Sequence, residues 1–190
     1  MPTLETPRLL LRDFTLADWE AVNALLTDPL VTRYMHFAAW DEQRRREWLD
    51  KIVREADDPR RGFYNWAITL RNDGALIGWF GIGNTAQPTS SERGCGYALN
   101  SRYWGHGYMP EAACAIFAYE FTIRGAKRIF AECEVENIAS ARVMQKSGMT
   151  FEGEFYEPDI EGDWDARYRY AITVDDWSTA DGQPQTPSKA

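Results

Sequence analysis

Basic residues are the minority charge in this chain: 21 Lys and Arg stand against 29 Asp and Glu over 190 residues, a formal net charge of −8. Nucleic-acid affinity rests on clustered cations facing phosphates, so this balance excludes a nucleic-acid partner. It suits a cationic acceptor, although acidity serves solubility equally well. Cysteine is scarce as well. Cys95, Cys114 and Cys133 are odd in number, none belongs to a Cys-x-x-Cys pair, and each falls in an apolar strand or helix pattern. They read as reduced core residues, so neither a disulfide framework nor a metal site is expected. Long apolar runs are missing too, and Glu5 stands where a secretion signal would carry basic residues. No membrane partner is expected, and the expected location is cytoplasmic.

What the chain has in quantity is apolar bulk: 44% of its residues are hydrophobic, with eight Trp, nine Tyr and nine Phe. That is ample for the core of one domain, expected over residues 1–177. Ser178 to Ala190 contains two Pro and no large apolar residue, and a disordered tail is expected there.

Pro7 to Phe14 reads as a strand, followed by a helix capped by Thr15 and running to Thr27, with Leu16, Trp19, Val22 and Leu26 on one face. A second helix spans Asp41 to Asp57. Strands at Phe63–Leu70 and Leu76–Gly83 flank the Asp73-Gly74 turn signal, and Gly94 to Asn100 is the next strand. A helix from about Pro110 to Arg124 stops at Gly125; the strand Arg128–Glu136 precedes a helix capped by Asn137 and ended by Gly148. Met149–Tyr156 and Ala166–Val174 complete the strands, with Glu161-Gly162-Asp163 as the turn between them. This order predicts an α+β sandwich, a mixed sheet between helices.

The most informative stretch is Arg102-Tyr103-Trp104-Gly105-His106-Gly107-Tyr108-Met109-Pro110-Glu111, between the strand ending near Asn100 and a long apolar helix. Glycine lets the backbone approach a ligand closely, and the first free N–H groups of a helix attract a phosphate. The P-loop ending Gly-Lys-Ser/Thr is absent, and Pro110 stands where a dinucleotide fingerprint needs its third glycine. The pattern Arg102-x-x-Gly105-x-Gly107 resembles the pyrophosphate loop of the GNAT superfamily of acyl-CoA-dependent N-acyltransferases. A second segment, Asn137-Ile138-Ala139-Ser140-Ala141-Arg142-Val143-Met144-Gln145-Lys146-Ser147-Gly148-Met149, resembles the corresponding signature of the branch containing the Rim-type ribosomal-protein N-terminal acetyltransferases. The opening Glu5-Thr6-Pro7-Arg8-Leu9-Leu10-Leu11-Arg12 is similar to the start of that branch.

The resemblance implies a GNAT-like three-layer fold with a mostly antiparallel sheet. Two of its central strands splay apart, and the pantetheine arm of acetyl-CoA lies in the gap. It implies acetyl-CoA as cosubstrate, no metal, and cofactor contacts at Leu99, Arg102, Trp104, Gly105, His106, Gly107, Tyr108 and Met109, with Asn137 and Arg142 on the second helix. A homodimer is a family-level expectation.

Acyl transfer from a thioester to an amine needs a neutral amine, a stabilised oxyanion and a proton for the departing thiolate. Many GNAT enzymes draw that proton from a Tyr seven residues after the motif Asn; here the position is Met144, which has none to give. Ser140 is the replacement, one turn along from Asn137 on the same face, and the matching Ser of the Rim-like branch is thought to do this work. A serine in a first helical turn can instead bond backbone. Asn137 caps the helix and, by resemblance, contacts pantetheine or substrate; Arg142 either reaches a cofactor phosphate or is a solvated charge. Period two along Arg128–Glu136 places Glu132, Glu134 and Glu136 on one face, a costly row unless solvated or met by cations. Glu134 is the candidate base, against a solvent-facing strand end. The branch commonly carries an acid two residues before its Gly-Tyr; Gly94 stands there, and Glu92 is the nearest acid. His106 and His36 read as structural, and Phe37, Trp40, Trp66, Trp79 and Tyr156 either line an acceptor pocket or fill the core. A site without an evident base favours an α-amine, with a pKa of about 8, over a lysine at about 10.4.

The expected activity is therefore acetylation of a small-molecule amine or a protein N-terminus. The alternatives are a non-catalytic acyl-CoA-binding regulatory module and a generic nucleotide-binding domain.

Overall fold

The computed structural model describes residues 2–35, 40–58, 60–84, 91–158 and 164–179. Its strands are β1 (Leu4–Glu5), β2 (Leu9–Arg12), β3 (Phe63–Leu70), β4 (Leu76–Gly83), β5 (Glu92–Leu99), β6 (Arg128–Glu134), β7 (Thr150–Pro158) and β8 (Trp164–Thr173). Its helices are α1 (Trp19–Thr27), α2 (Pro29–Thr32), α3 (Glu42–Glu55), α4 (Tyr108–Thr122), α5 (Ile138–Lys146) and α6 (Val174–Thr179). The strands form one eight-stranded sheet in the order β1-β2-β3-β4-β5-β6-β8-β7. Every pairing is antiparallel except that of β5 with β6, which is parallel.

Two cores lie against this sheet. Val22, Leu25 and Leu26 of α1 and Leu49 and Ile52 of α3 pack with Ala67, Trp79 and Ala98. Ala112, Ile116 and Phe117 of α4 and Ala141 and Met144 of α5 pack with Trp66, Ile68, Phe80 and Ile129. The result is the expected three-layer α+β sandwich. Leu16 departs from the expected face: it is exposed, because Leu16–Asp18 forms a 3₁₀ turn that starts α1 three residues late and brings Leu25 inward. The expected strand Pro7–Phe14 is present over its middle as β2, and the short β1 before it pairs with it as a hairpin, Leu4 opposite Leu11.

The chain end differs more. Val174 leaves the sheet and opens α6, which takes in Ser178 and Thr179 of the expected tail. Thr173 and Asp176 cap this helix reciprocally: the Asp176 carboxylate accepts from the Thr173 N–H and hydroxyl, and the Asp176 N–H donates to Thr173 Oγ1. Trp177 then packs on Phe117 and Phe121 of α4 at centroid distances of 6.3 and 5.9 Å. Residues 180–190 and the turn Glu161-Gly162-Asp163 lie outside the described residues. Among the described residues no helix is long and apolar enough to cross a membrane.

Candidate active site

β5 ends at Leu99, a 3₁₀ turn covers Ser101–Tyr103, and Gly105 and Gly107 then take φ of 81° and 78° before α4 begins at Tyr108. Those left-handed angles strain any residue with a Cβ, which is the local reason for both glycines. They turn the backbone so that the N–H groups of Gly105, His106, Gly107, Tyr108 and Met109 donate to no other described residue. Five unspent donors at the positive end of a 15-residue helix can serve as an anion cradle. The exposed Arg102 guanidinium has no partner among the described residues and adds a cation beside it. Trp104 is exposed, and its indole N–H donates to the Leu99 carbonyl at 2.7 Å, fixing the strand end to the loop.

The loop is braced from the turn between β1 and β2. Glu111, expected to sit at the helix start, accepts from Thr6 Oγ1 at 2.6 Å, from the Arg8 N–H at 3.0 Å and from Arg8 Nε at 2.6 Å. Arg8 in turn donates to the His106 carbonyl at 2.8 Å and lies 4.5 Å over the Tyr108 ring. On the other side Ser101 donates to Asp28 at 2.6 Å, a bond that lowers the Asp28 carboxyl pKa and ties the loop to the N-cap of α2. The opening motif thus supports the loop through Arg8, a role no local pattern disclosed.

The parallel ladder between β5 and β6 runs only from Glu92 opposite Arg128 to Cys95 opposite Ala131. Beyond it Gly96–Leu99 and Glu132–Glu134 part company, the splay that the resemblance implied. A cavity of about 120 Å³ opens there, with Gly96, Tyr97, Cys133, Glu134, Asn137 and Ser140 in its walls. Tyr34 and Met35, just past α2, and Arg167 of β8 close its sides.

Ser140 and Asn137 therefore meet Glu134 in one place. Asn137 Oδ1 accepts from the Ser140 N–H at 3.1 Å as the cap of α5, which leaves the Asn137 amide N–H₂ uncommitted by the cap. The Ser140 hydroxyl does not turn back onto its own helix; it lies 2.9 Å from Tyr97 Oη. Burial pushes the Cys133 thiol pKa up to about 11, partly offset by a hydrogen bond with Ser140, and burial likewise raises Cys95 and the Tyr97 phenol. The row of carboxylates on β6 is met by cations: Arg169 donates to Glu132 at 2.6 Å, and Arg167 is the β8 residue opposite Glu134.

Other expected site residues fall elsewhere. Glu92 sits at the closed end of the β5–β6 ladder, ion-paired with Arg128 and outside the cavity wall, because β5 starts two residues earlier than Gly94 and carries it away from the opening. Arg142 is exposed and half a turn around α5 from Ser140. Trp66 and Trp79 are core, Tyr156 is exposed on β7, and Trp40 does not line the cavity. His36 and Phe37 lie outside the described residues. Tyr97 was not foreseen. Its partner lies 43 residues away in sequence, so only the Gly96-Tyr97 pair at a strand centre could have drawn attention to it. No group of three or more His, Cys, Asp or Glu among the described residues is arranged to hold a metal.

A mixed sheet opened at one parallel pair, with a glycine-turned anion cradle at the end of the opened strand, defines the acetyltransferase fold class. Residues 8–150 match the family model for the acetyltransferase (GNAT) domain, and the chain belongs to that family of enzymes. It is 33% identical over 176 residues to the uncharacterized N-acetyltransferase YnaD of Bacillus subtilis (strain 168), covering 92% of this chain and 99% of that protein. The crystal structure of a GNAT-family acetyltransferase from Bacillus anthracis superposes with a TM-score of 0.80 at 30% identity, covering 92% of this chain and 99% of that one. Mycobacterium smegmatis RimJ, in complex with CoA-disulfide, shares the fold with a TM-score of 0.75 at 23% identity, over 92% of this chain and 87% of that one.

Proposed function

We propose that the protein transfers an acetyl group from acetyl-CoA to a primary amine, a protein N-terminal α-amine or a small-molecule amine, directly within a ternary complex. The observation that carries this reading is the cavity between the separated halves of β5 and β6, where Ser140, Asn137 and Glu134 converge close to the end of the strand that feeds the anion cradle. In this reading the N–H groups of Gly105 to Met109 and the Arg102 guanidinium bind the pyrophosphate. The Asn137 amide orients the pantetheine arm, and Ser140 gives its proton to the departing sulfur. Glu134 receives the ammonium of the acceptor and, with water, its proton. An α-amine with a pKa of about 8 asks least of such a base, which favours weakly basic amines.

Release of CoA thiol from acetyl-CoA, corrected for hydrolysis, tests the proposal against N-terminal peptides, amino acids, polyamines and aminoglycosides. Release with one acceptor class is expected. Bound acetyl-CoA with silence across all four would overturn it.

A further inference from the structure

The motif position where many relatives of this fold carry a proton-donating Tyr is Met144, buried in the core, so α5 brings no phenol to the cavity. β5 brings one. Tyr97 Oη lies 2.9 Å from Ser140 Oγ and 3.1 Å from the Ser140 carbonyl oxygen, while its ring stacks on Phe80 with centroids 5.6 Å apart and planes 20° from parallel. The ring is thus fixed and the hydroxyl has a single proton with two acceptors on one residue.

We propose that Tyr97 is a positioning residue for acetyl transfer: by donating to Ser140 Oγ it turns the Ser140 proton toward the thioester sulfur. This rests on Ser140 acting as the acid in the reaction proposed above. Two hydrogen-bond arrangements fit the two distances. In one, Tyr97 donates to the Ser140 carbonyl and the Ser140 hydroxyl donates to Tyr97 Oη, so the serine proton faces away from substrate. In the other, Tyr97 donates to Ser140 Oγ, whose own proton is then directed at the cavity wall, where it meets the Cys133 thiol in the resting protein and the thioester sulfur once acetyl-CoA is bound. The second arrangement is the productive one. As the tetrahedral adduct collapses, the C–S bond breaks and its electron pair stays on sulfur. The Ser140 proton passes to that sulfur, and the proton given up by the amine nitrogen returns to Ser140 Oγ. Tyr97 keeps its proton throughout and stabilises the negative charge developing on Oγ. Burial raises its phenol pKa, so it remains a donor across the neutral range.

Tyr97→Phe removes the hydroxyl and retains the stacked ring. It should lower kcat roughly tenfold or more while leaving KM for acetyl-CoA nearly unchanged. In a Ser140→Ala background the same substitution should cost nothing further, since its effect runs through Ser140. An unchanged kcat, or an equal loss in both backgrounds, would overturn the proposal. A second readout needs no acceptor amine: the thiol pKa of bound CoA, followed by thiolate absorbance against pH. A donor aimed at sulfur favours thiolate, so Tyr97→Phe should raise that pKa by roughly one unit, and Ser140→Ala at least as much. No shift in either variant would refute the relay. A clear shift in a protein that acetylates no amine of the panel would uphold it while sinking the acceptor assignment.

Discussion

The same two strands are closed at one end and open at the other. From Glu92 to Cys95, β5 is laddered to β6, and the join is locked from both sides. Arg128 pairs with Glu92 and Glu152, and the buried Arg93 reaches Glu120 of α4 at 3.4 Å, with Arg124 at 3.6 Å from the other Glu120 oxygen. From Gly96 onward β5 and β6 share no ladder bond, and the space between them is walled by hydroxyls, thiols, two carboxylates, an amide and the Arg167 side chain. Charge pairs hold the closed end; at the open end Arg169 pairs with Glu132, while Tyr97, Asn137 and Ser140 face a cavity. A parallel pair that stops halfway has strand backbone groups with no ladder partner, and a bound molecule can use them.

Breaking the closed end should have the largest effect. Glu120 is 1% exposed between two guanidinium groups, so Glu120→Ala removes the buried carboxylate that Arg93 and Arg124 both approach. A loss of about 3–5 kcal/mol in urea unfolding is expected. A loss below about 1 kcal/mol would mean that this end is not held by charge.

Next comes the reactivity of the thiols at the open end. Because burial disfavours the thiolate and pushes Cys133 up to about 11, this thiol is protonated at neutral pH. Alkylation of Cys133 in the native protein should be slower than that of a free thiol by on the order of a hundredfold, rising as pH approaches 11. Peptide mapping after alkylation across pH checks this, and a plateau near pH 8.5 would contradict the closeness of the wall.

A smaller effect is expected at the loop. Gly107→Ala asks a residue with a Cβ to hold φ near 78°, although the added carbon would meet only Arg8 Nη2, at 3.6 Å. The cost is conformational, roughly 1–2 kcal/mol, so KM for acetyl-CoA should rise about tenfold with kcat little changed. An unchanged KM would place the phosphates elsewhere.

Much of this contrast was legible in the sequence, unevenly. Gly105 and Gly107 announce themselves because a left-handed turn demands glycine, and Asn137 does so because a cap must precede a helix. The period-two alternation expected along β6 is there, with Ile129, Ala131 and Cys133 buried and Glu132 and Glu134 on the more open face. Contacts across the fold were not legible. Arg8 braces a loop 98 residues away, and Tyr97 meets Ser140 across the gap between a strand and the helix after its neighbour. Glu92 was misplaced by the same limitation: nearness in sequence to the Gly-Tyr pair said nothing about which end of the strand opens. The missed α6 did have a signal, Thr173 followed three residues later by Asp176, obscured by the β-branched run that leads into it.

The most direct test is steady-state kinetics of Ser140→Ala with an acceptor identified from the amine panel, alongside acetyl-CoA affinity measured by titration. If the open end of β5 and β6 is where the acetyl group changes hands, kcat falls on the order of a hundredfold while acetyl-CoA binding stays within about twofold of the parent protein. Unchanged turnover would contradict the account, moving the proton donor away from the cavity in which Ser140, Asn137 and Glu134 meet.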